Sequence, residues 1–248
     1  MYRKSRLDDI LDIMRESGYV TVKHLTERLN YSTATINRDL NLLEKQGHII
    51  RSYGGAELTK AVTIPLAMRY HKAHAAKNKD AKRAAELIKD GDTVFICGAS
   101  TTQYMGQYMT TLKGLKVITN NISLAAYLSD HGVSVTVIGG EIVEPPSITG
   151  GMAALESASV YRVDKMFFSA STVLPDGTVG GGAKLTPMLK AVMRNSSEVY
   201  LLTDKTKFGE ANYSHIVCDI SDLTGVVSDF DLAGCLDTCP DGTLFFTV

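Results

Sequence analysis

Cysteine is scarce, with four residues in a chain of 248. Cys97 closes an apolar, strand-like run, and Cys218, Cys235 and Cys239 are scattered toward the C-terminal end. Cys235 and Cys239 stand four apart, without the repeated close pairs of a zinc site. Inert thiols in a reduced, cytoplasmic protein are expected, with no metal and no cofactor. Long apolar runs are also missing. No stretch of eighteen apolar residues occurs, so no membrane-spanning helix is expected. The opening MYRKSRLDDILDIM alternates charged with apolar residues and lacks the apolar core of a secretion signal. Two nucleotide fingerprints are absent as well: there is no P-loop ending in Gly-Lys-Ser/Thr and no full G-x-G-x-x-G turn. Internal repeats and low-complexity segments are not found.

What is present is a globular composition, 44% hydrophobic and 21% charged. A body of this length buries roughly 70–75% of the surface its unfolded chain exposes, so it needs no covalent staple. The length suits one large domain or two ordinary ones. The net charge of −1 conceals an asymmetry. Residues 1–83 hold 16 Lys and Arg against 9 Asp and Glu, whereas residues 84–248 hold 10 against 18. A basic front on an acidic body points to a polyanionic partner for the front. Much of that excess lies in residues 58–83, where seven basic residues face only Asp80.

The front reads as a small helical domain. Leu7, Ile10, Leu11 and Met14 recur at helical spacing. Gly18 can close that helix in the left-handed conformation. Val20 and Val22 suggest a short strand. A second helix is predicted over Val22–Leu29, then a tight turn at Asn30, which tolerates positive φ. Ser32 can cap a third helix over Thr33–Lys45. Ile36, Leu40 and Leu43 line its inner side. Ala34, Arg38, Asn41 and Lys45 lie opposite, with Thr33, Thr35 and Asn37 near its start. Small, polar and basic residues of this kind can hold phosphates and read base edges. Gly47 stops the helix, His48–Tyr53 resembles a strand, and Gly54-Gly55 makes a turn. Three helices and a β wing make a winged helix-turn-helix. A three-helix interaction module with a solvated outer face fits the same pattern. Asp39 and Glu44 keep the helix from being uniformly basic, and Leu42 sits toward its outer flank.

The stretch STATINRDLNLLEKQGHIIRSYGGA, Ser32 to Ala56, resembles the N-terminal motif of DeoR-family bacterial transcriptional regulators. That motif has a serine cap, a T-I-R-R-D-L core and an R-x-x-G-G-A wing. Thr35, Ile36, Arg38, Asp39 and Leu40 match the core, and Arg51, Gly54, Gly55 and Ala56 match the wing. Asn37 replaces the first of the paired arginines. The resemblance implies double-stranded operator DNA as partner, with Ser32, Thr33, Thr35, Asn37, Arg38, Asn41 and Arg51 as candidate contacts.

Domain boundaries follow: a winged helix-turn-helix over residues 1–57, a linker over 58–75 containing Pro65, and an α/β domain over 76–248. In the last, helices are predicted over Lys77–Lys89, Thr101–Leu112, Ile122–Asp130, Met152–Tyr161 and Lys184–Asn195. Strands are predicted over Thr93–Cys97, Leu115–Thr119, Val133–Ile138, Lys165–Ser169, Glu198–Thr203 and Gly225–Val227. Short apolar strands alternating with helices predict a mainly parallel sheet covered on both faces. Ligands gather at the carboxyl ends of such strands. Those ends carry Gly98–Thr102, Thr119–Asn121, Gly139–Glu141, Ser169–Thr172 and Asp204–Lys207, and the turn Gly180–Lys184 adds a cation. Backbone N–H groups, hydroxyls and lysines there suit a phosphorylated sugar. Ser100, Thr101, Thr102, Asn120, Gly140, Lys184, Asp204 and Lys207 are the candidate effector residues.

The family's sensor domain shows a D-x-G-T-T loop, a V-x-T-N strand end, a G-G pair and a D-x-x-K-F segment. This chain is similar at Thr101, at Val117, Thr119 and Asn120, at Gly139 and Gly140, and at Asp204, Lys207 and Phe208. Lys77 matches the lysine that opens the domain. Cys97, Ala99 and Ser100 depart from the first loop, and the usual acids before the late helix are replaced near Lys184 and Leu185. The resemblance implies a fold like ribose-5-phosphate isomerase and a homo-oligomeric repressor of carbohydrate genes that binds a sugar phosphate. The alternative is a sugar-phosphate isomerase or deaminase-like enzyme with a helical appendage, using Glu141, Lys184, Asp204 and Lys207. No catalytic residue is assigned.

Overall fold

In the computed structural model, residues 6–7, 9–11, 13–14, 19–45, 48–52, 54–58, 74–144, 147–211 and 213–248 are described. The chain divides into two units, Met1–His71 and Lys72–Val248. Residues 59–73, most of the expected linker, lie outside the described residues, as do Gly18, Gly47 and Tyr53.

In the first unit the described residues between 6 and 14 are helical, and Leu7, Ile10, Leu11, Ile13 and Met14 are buried. Strand β1 (Tyr19–Thr21) leads into helix α1 (Val22–Leu29), whose first turn is capped by Thr21 Oγ1 accepting from His24 N–H at 3.1 Å. Asn30 ends α1 at φ 56°, in the left-handed region that asparagine tolerates. Helix α2 (Thr33–Lys45) packs Ile36, Leu40 and Leu43 against Leu25 and the leading helix. Strands β2 (Ile49–Ser52) and β3 (Gly55–Leu58) form an antiparallel wing in the order β1-β3-β2. A side chain at Gly55 would stand 2.3 Å from the Val20 carbonyl, so β1 and β3 close only on glycine. Leu58, placed in the linker from sequence, belongs to β3.

The second unit is built on seven parallel strands: β4 (Thr93–Ile96), β5 (Lys116–Thr119), β6 (Ser134–Val137), β9 (Val163–Phe168), β12 (Ser196–Thr203), β14 (Gly225–Ser228) and β15 (Leu244–Thr247). Their order is β15-β14-β12-β9-β4-β5-β6, with every neighbour parallel. Alternate residues enter opposite layers, the two-residue period of a strand. Phe95, Met166, Phe168 and Leu201 face one core; Val94, Ile96, Phe167 and Leu202 face the other. Helices α5 (Gly151–Ser159) and α6 (Thr186–Arg194) cover the first layer through Ala154, Ala158, Met188, Leu189 and Val192. Helices α3 (His74–Ala85) and α4 (Ile122–Asp130) cover the second through Ala81, Ala84, Leu124 and Leu128. A sheet buried on both sides explains why its central strands read as continuous apolar runs.

Three expectations are corrected. The helix predicted over Thr101–Leu112 is a 3-10 segment, Thr102–Tyr108. Thr102 Oγ1 donates back to the Cys97 carbonyl at 2.5 Å, which tightens the first turn. Strand β15, half-exposed at the sheet edge, was not predicted. Nor were a hairpin of β7 (Glu141–Glu144) with β8 (Ile148–Gly150) and a small antiparallel sheet of β10 (Thr172–Val173), β11 (Thr178–Gly181) and β13 (His215–Asp219). Their glycines and polar residues hide the alternation.

The strand order fixes where a ligand crevice opens. From β4 the chain steps outward to β5 and β6, then returns to β9 on the other side of β4. The switch point therefore lies between the carboxyl ends of β4 and β9.

Candidate functional site

The first unit presents the exposed side of α2. Ser32 Oγ accepts from Thr35 N–H at 3.3 Å and lies 2.9 Å from Thr35 Oγ1, so both residues belong to the helix cap. Thr33, Ala34, Arg38 and Asn41 are exposed, and Asn37 is half-buried. Arg51, from β2, donates to Asn37 Oδ1 at 2.9 Å and to Asn41 Oδ1 at 3.1 Å. Glu44 Oε1 accepts from the Arg51 backbone N–H at 3.2 Å.

Two residues of this helix turn inward. Asp39 is not on the outer surface: it is 1% exposed and bound by Arg6, with Nε–Oδ2 at 2.5 Å and Nη2–Oδ1 at 3.1 Å. Leu42 packs against the core of its own unit. With Asp39 turned inward, the outward face is less acidic than its composition suggests.

In the second unit the loop after β4 occupies the switch point. Cys97 N–H donates to the Phe167 carbonyl at 2.9 Å, and Gly98 N–H to Asn120 Oδ1 at 2.6 Å. The next three residues are buried: Ala99 is 9% exposed, Ser100 2% and Thr101 0%. Among the described residues, no hydrogen bond is made by their backbone N–H groups. Thr101 Oγ1 is buried and also unpartnered. Buried N–H groups without acceptors are rare in folded chains.

Two groups of candidate residues flank this loop. Asn120 ends β5, and both ends of its amide are used: Oδ1 holds Gly98, and Nδ2 donates to the Thr149 carbonyl at 2.7 Å. It positions the loop. Gly140 has φ 144°, and a side chain there would meet the Gly150 carbonyl at 2.5 Å. Lys184 is exposed, and its carbonyl accepts from Gly151 N–H at 3.2 Å. On the other flank, Lys207 Nζ donates to Ser169 Oγ at 2.6 Å, at the end of β9. Asp204 is 1% exposed; its Oδ1 accepts from Thr206 N–H at 3.0 Å and from the Thr206 hydroxyl, and its Oδ2 is unpartnered.

Two residues near Asp204 and Lys207 were not among the candidates. Lys77 is 3% exposed and Asp80 0%, both on α3. Neither Asp80 oxygen has a hydrogen-bond partner. Burial, then Asp229 and Asp204, push its carboxyl up to about 8 against the opposing pull of Lys207 and Lys77. Spacing could have found them, because 77, 80, 81, 84 and 85 trace one buried stripe of α3. Asp204 is held below the usual carboxylate range: burial opposes this, but Lys207, Thr206 and Lys77 outweigh it.

Glu141 and Lys184 lie near the start of α5, whereas Asp204 and Lys207 follow β12. Cys97 and Cys218 are buried, Cys235 and Cys239 exposed, and all four are free thiols. Burial, with Glu144 nearby, raises the Cys97 thiol far above its ordinary value. Among the described residues no cluster of three or more His, Cys, Asp or Glu could hold a metal ion, and no helix is long and apolar enough to cross a membrane.

Comparison with known proteins covers both units. The DeoR-like helix-turn-helix domain matches residues 6–62, and the DeoR C terminal sensor domain matches residues 72–230. The lactose phosphotransferase system repressor of Lactococcus lactis subsp. lactis is 32% identical over 84% of each chain. The glycerol-3-phosphate regulon repressor of Escherichia coli (strain K12) is 30% identical over 84% of each chain. The HTH-type transcriptional repressor GlcR of Bacillus subtilis (strain 168) is 28% identical over 92% of this chain and 89% of its own. Among solved structures, ribose 5-phosphate isomerase A from Methanocaldococcus jannaschii aligns with 54% of each chain at 19% identity and a TM-score of 0.41.

Proposed function

The chain belongs to the DeoR family of transcriptional regulators, and we propose that it represses sugar-metabolism genes under the control of a phosphorylated sugar or related metabolite. On this reading the exposed side of α2 enters the major groove of operator DNA, and the wing lies against the backbone. A homo-oligomer matches the symmetric half-sites such operators present. The enzyme alternative gives way to the family, and the work is done in the cytoplasm, where the DNA is.

One observation carries the sensing half. The loop Ala99–Thr101 sits at the switch point with its backbone N–H groups unpaired in a buried setting. Such a loop is built to receive an anion. Lys207, at the neighbouring strand end, supplies a cation, and Asp204 and Thr101 supply partners for hydroxyls. Asn120 fixes the start of the loop through Gly98. Binding that favours one state of the protein must change its DNA affinity, and DNA must change effector affinity by the same factor.

The test is binding to DNA upstream of the native gene and its neighbours, repeated with sugar phosphates at fixed salt, because phosphate contacts make affinity steeply salt-dependent. Glycerol 3-phosphate and phosphorylated lactose come first, since the relatives are named for glycerol 3-phosphate and a lactose phosphotransferase system. A specific complex that one compound alters is the expected result. Specific binding indifferent to every compound removes the sensing half; turnover of a compound without DNA binding removes the whole reading.

Two substitutions separate the halves. Arg38→Ala is expected to weaken specific DNA binding by about 1–3 kcal/mol, the value of a bidentate base contact; equal affinity in a titration refutes that role. Thr101→Val keeps the volume and removes the unpartnered hydroxyl. It is expected to lower effector affinity while DNA binding without effector stays unchanged. Calorimetry showing unaltered effector affinity moves the site elsewhere.

A further inference from the structure

The Arg51 guanidinium links the wing to the recognition helix. Arg51 Nη2 donates to Asn37 Oδ1 at 2.9 Å and Nη1 to Asn41 Oδ1 at 3.1 Å. Asn37 Nδ2 donates in turn to the Thr33 carbonyl at 3.0 Å. Guanidinium groups only donate, so the amide end that faces Arg51 must be oxygen in both residues. Chemistry thus settles the orientation of both amides. Asn37 and Asn41 are four residues apart and share one helix face. Glu44 Oε1 holds the Arg51 backbone, which keeps the wing in register with that face.

The consequence concerns what remains for DNA. Both amide oxygens are turned to the wing. The groups left over are mostly donors: the Asn41 amide N–H pair, one Asn37 N–H and the spare guanidinium N–H groups, against a single remaining lone pair on each amide oxygen already turned to Arg51. Exposed Arg38 on the same helix adds more donors. In the major groove, guanine offers two acceptors, N7 and O6, whereas adenine and cytosine present an amino donor. A free asparagine reads adenine with its oxygen and nitrogen together. Asn41 has its oxygen engaged.

We propose that Asn37 is a positioning residue that sets base specificity: by holding Arg51 it makes the recognition helix a donor-rich surface that selects guanine opposite Asn41. This rests on the DNA-binding reading above. Arginine, which the family motif carries at this position, would confront Arg51 with a like charge and free the Asn41 oxygen.

The experiment selects duplexes from a random library with the full-length chain at fixed salt. Wild type, Asn37→Ala, Arg51→Ala and the double variant are compared, and amide exchange over α2 confirms that each is folded. Duplexes with guanine or adenine at the position facing Asn41 are then titrated. Wild type is expected to prefer guanine by about tenfold, within the range one good base contact supplies. Each single change should reduce that preference to about twofold, and the double change no further, the non-additivity of residues acting as one unit. A purely structural Asn37 would weaken all duplexes alike and leave the preference standing. That pattern, an adenine preference in wild type, or independent addition of the two changes overturns the proposal. If wild type selects no sequence at all, the DNA-binding reading falls and this inference falls with it.

Discussion

Asp39→Ala is expected to abolish specific DNA binding by unfolding the first unit, not by removing a DNA contact. Asp39 is 1% exposed and takes two hydrogen bonds from Arg6, 33 residues earlier in the chain. The Arg6 guanidinium also lies 4.7 Å from the centre of the Tyr31 ring. This one cation therefore ties the leading helix to α2 and to the turn before it. Surface ion pairs contribute little and breaking a fully buried pair costs about 3–5 kcal/mol; here Asp39 is buried and Arg6 keeps 13% side-chain exposure, so the expected cost approaches the lower end of that range. A unit of this size has a total stability of roughly 3–10 kcal/mol. The two are comparable, so a large unfolded fraction follows. Amide exchange over α2 should rise toward the unfolded rate, while the sensor unit keeps its protection. Arg38→Ala provides the contrast, losing DNA affinity with α2 still protected. If Asp39→Ala binds operator normally, the Arg6–Asp39 pair contributes no more than an exposed one.

The bounds of α1 and the start of α2 were legible because local chemistry sets them. Thr21 and Ser32 cap, Asn30 turns, and the apolar stripe of α2 repeats at 36, 40 and 43. The same stripe passes through 39, and the stripe of α3 passes through 77 and 80. An acid or a lysine inside an apolar stripe announces a buried charge, but its partner is invisible in sequence. Arg6 for Asp39, and Asp204, Lys207 and Asp229 for Asp80, come from elements brought together only by the fold. The strand-end rule placed the sensor loop at its crevice, since parallel strands deliver all their carboxyl ends to one edge. It did not say which polar residues there are free. Asn120 reads as a ligand group and is spent on the backbone of two neighbouring segments. Lys184 follows a glycine-rich turn and is exposed, with its carbonyl on the start of α5, whereas Lys207 is held at the end of β9. Strands β11 and β15 escaped notice because glycine and exposure erase the alternation that marks a strand.

Asp80→Leu is expected to stabilise the sensor unit strongly at pH 8 and only slightly at pH 5. The Asp80 carboxyl is fully buried, has no hydrogen-bond partner, and is pushed from 3.8 up to about 8. Between those values the folded chain holds a proton that the unfolded chain has released. Stability must therefore fall as pH rises through that window, by about 1.4 kcal/mol per pH unit at the steepest. Near pH 8 the accumulated cost is on the order of several kcal/mol; below pH 4 it vanishes, because Asp80 is protonated in both states. With Asp80 ionised, three carboxylates (Asp80, Asp204 and Asp229) face two ammonium groups (Lys77 and Lys207), as the charges acting on Asp80 show. Leucine restores an even count and fills the volume with apolar atoms. For a unit of this size the melting temperature should rise by about 5–10 °C at pH 8, and the slope of stability against pH should flatten. Equal gains at pH 5 and pH 8 would show that the proton on Asp80 does not matter. A loss at both would show that Asp80 is a structural partner of the lysines. The expected outcome means that the native sequence keeps a costly acid beside Asp204 and Lys207, against its own stability. Proteins retain such groups mainly at working sites, so the stabilised variant should also be titrated with the effector identified by the DNA assay.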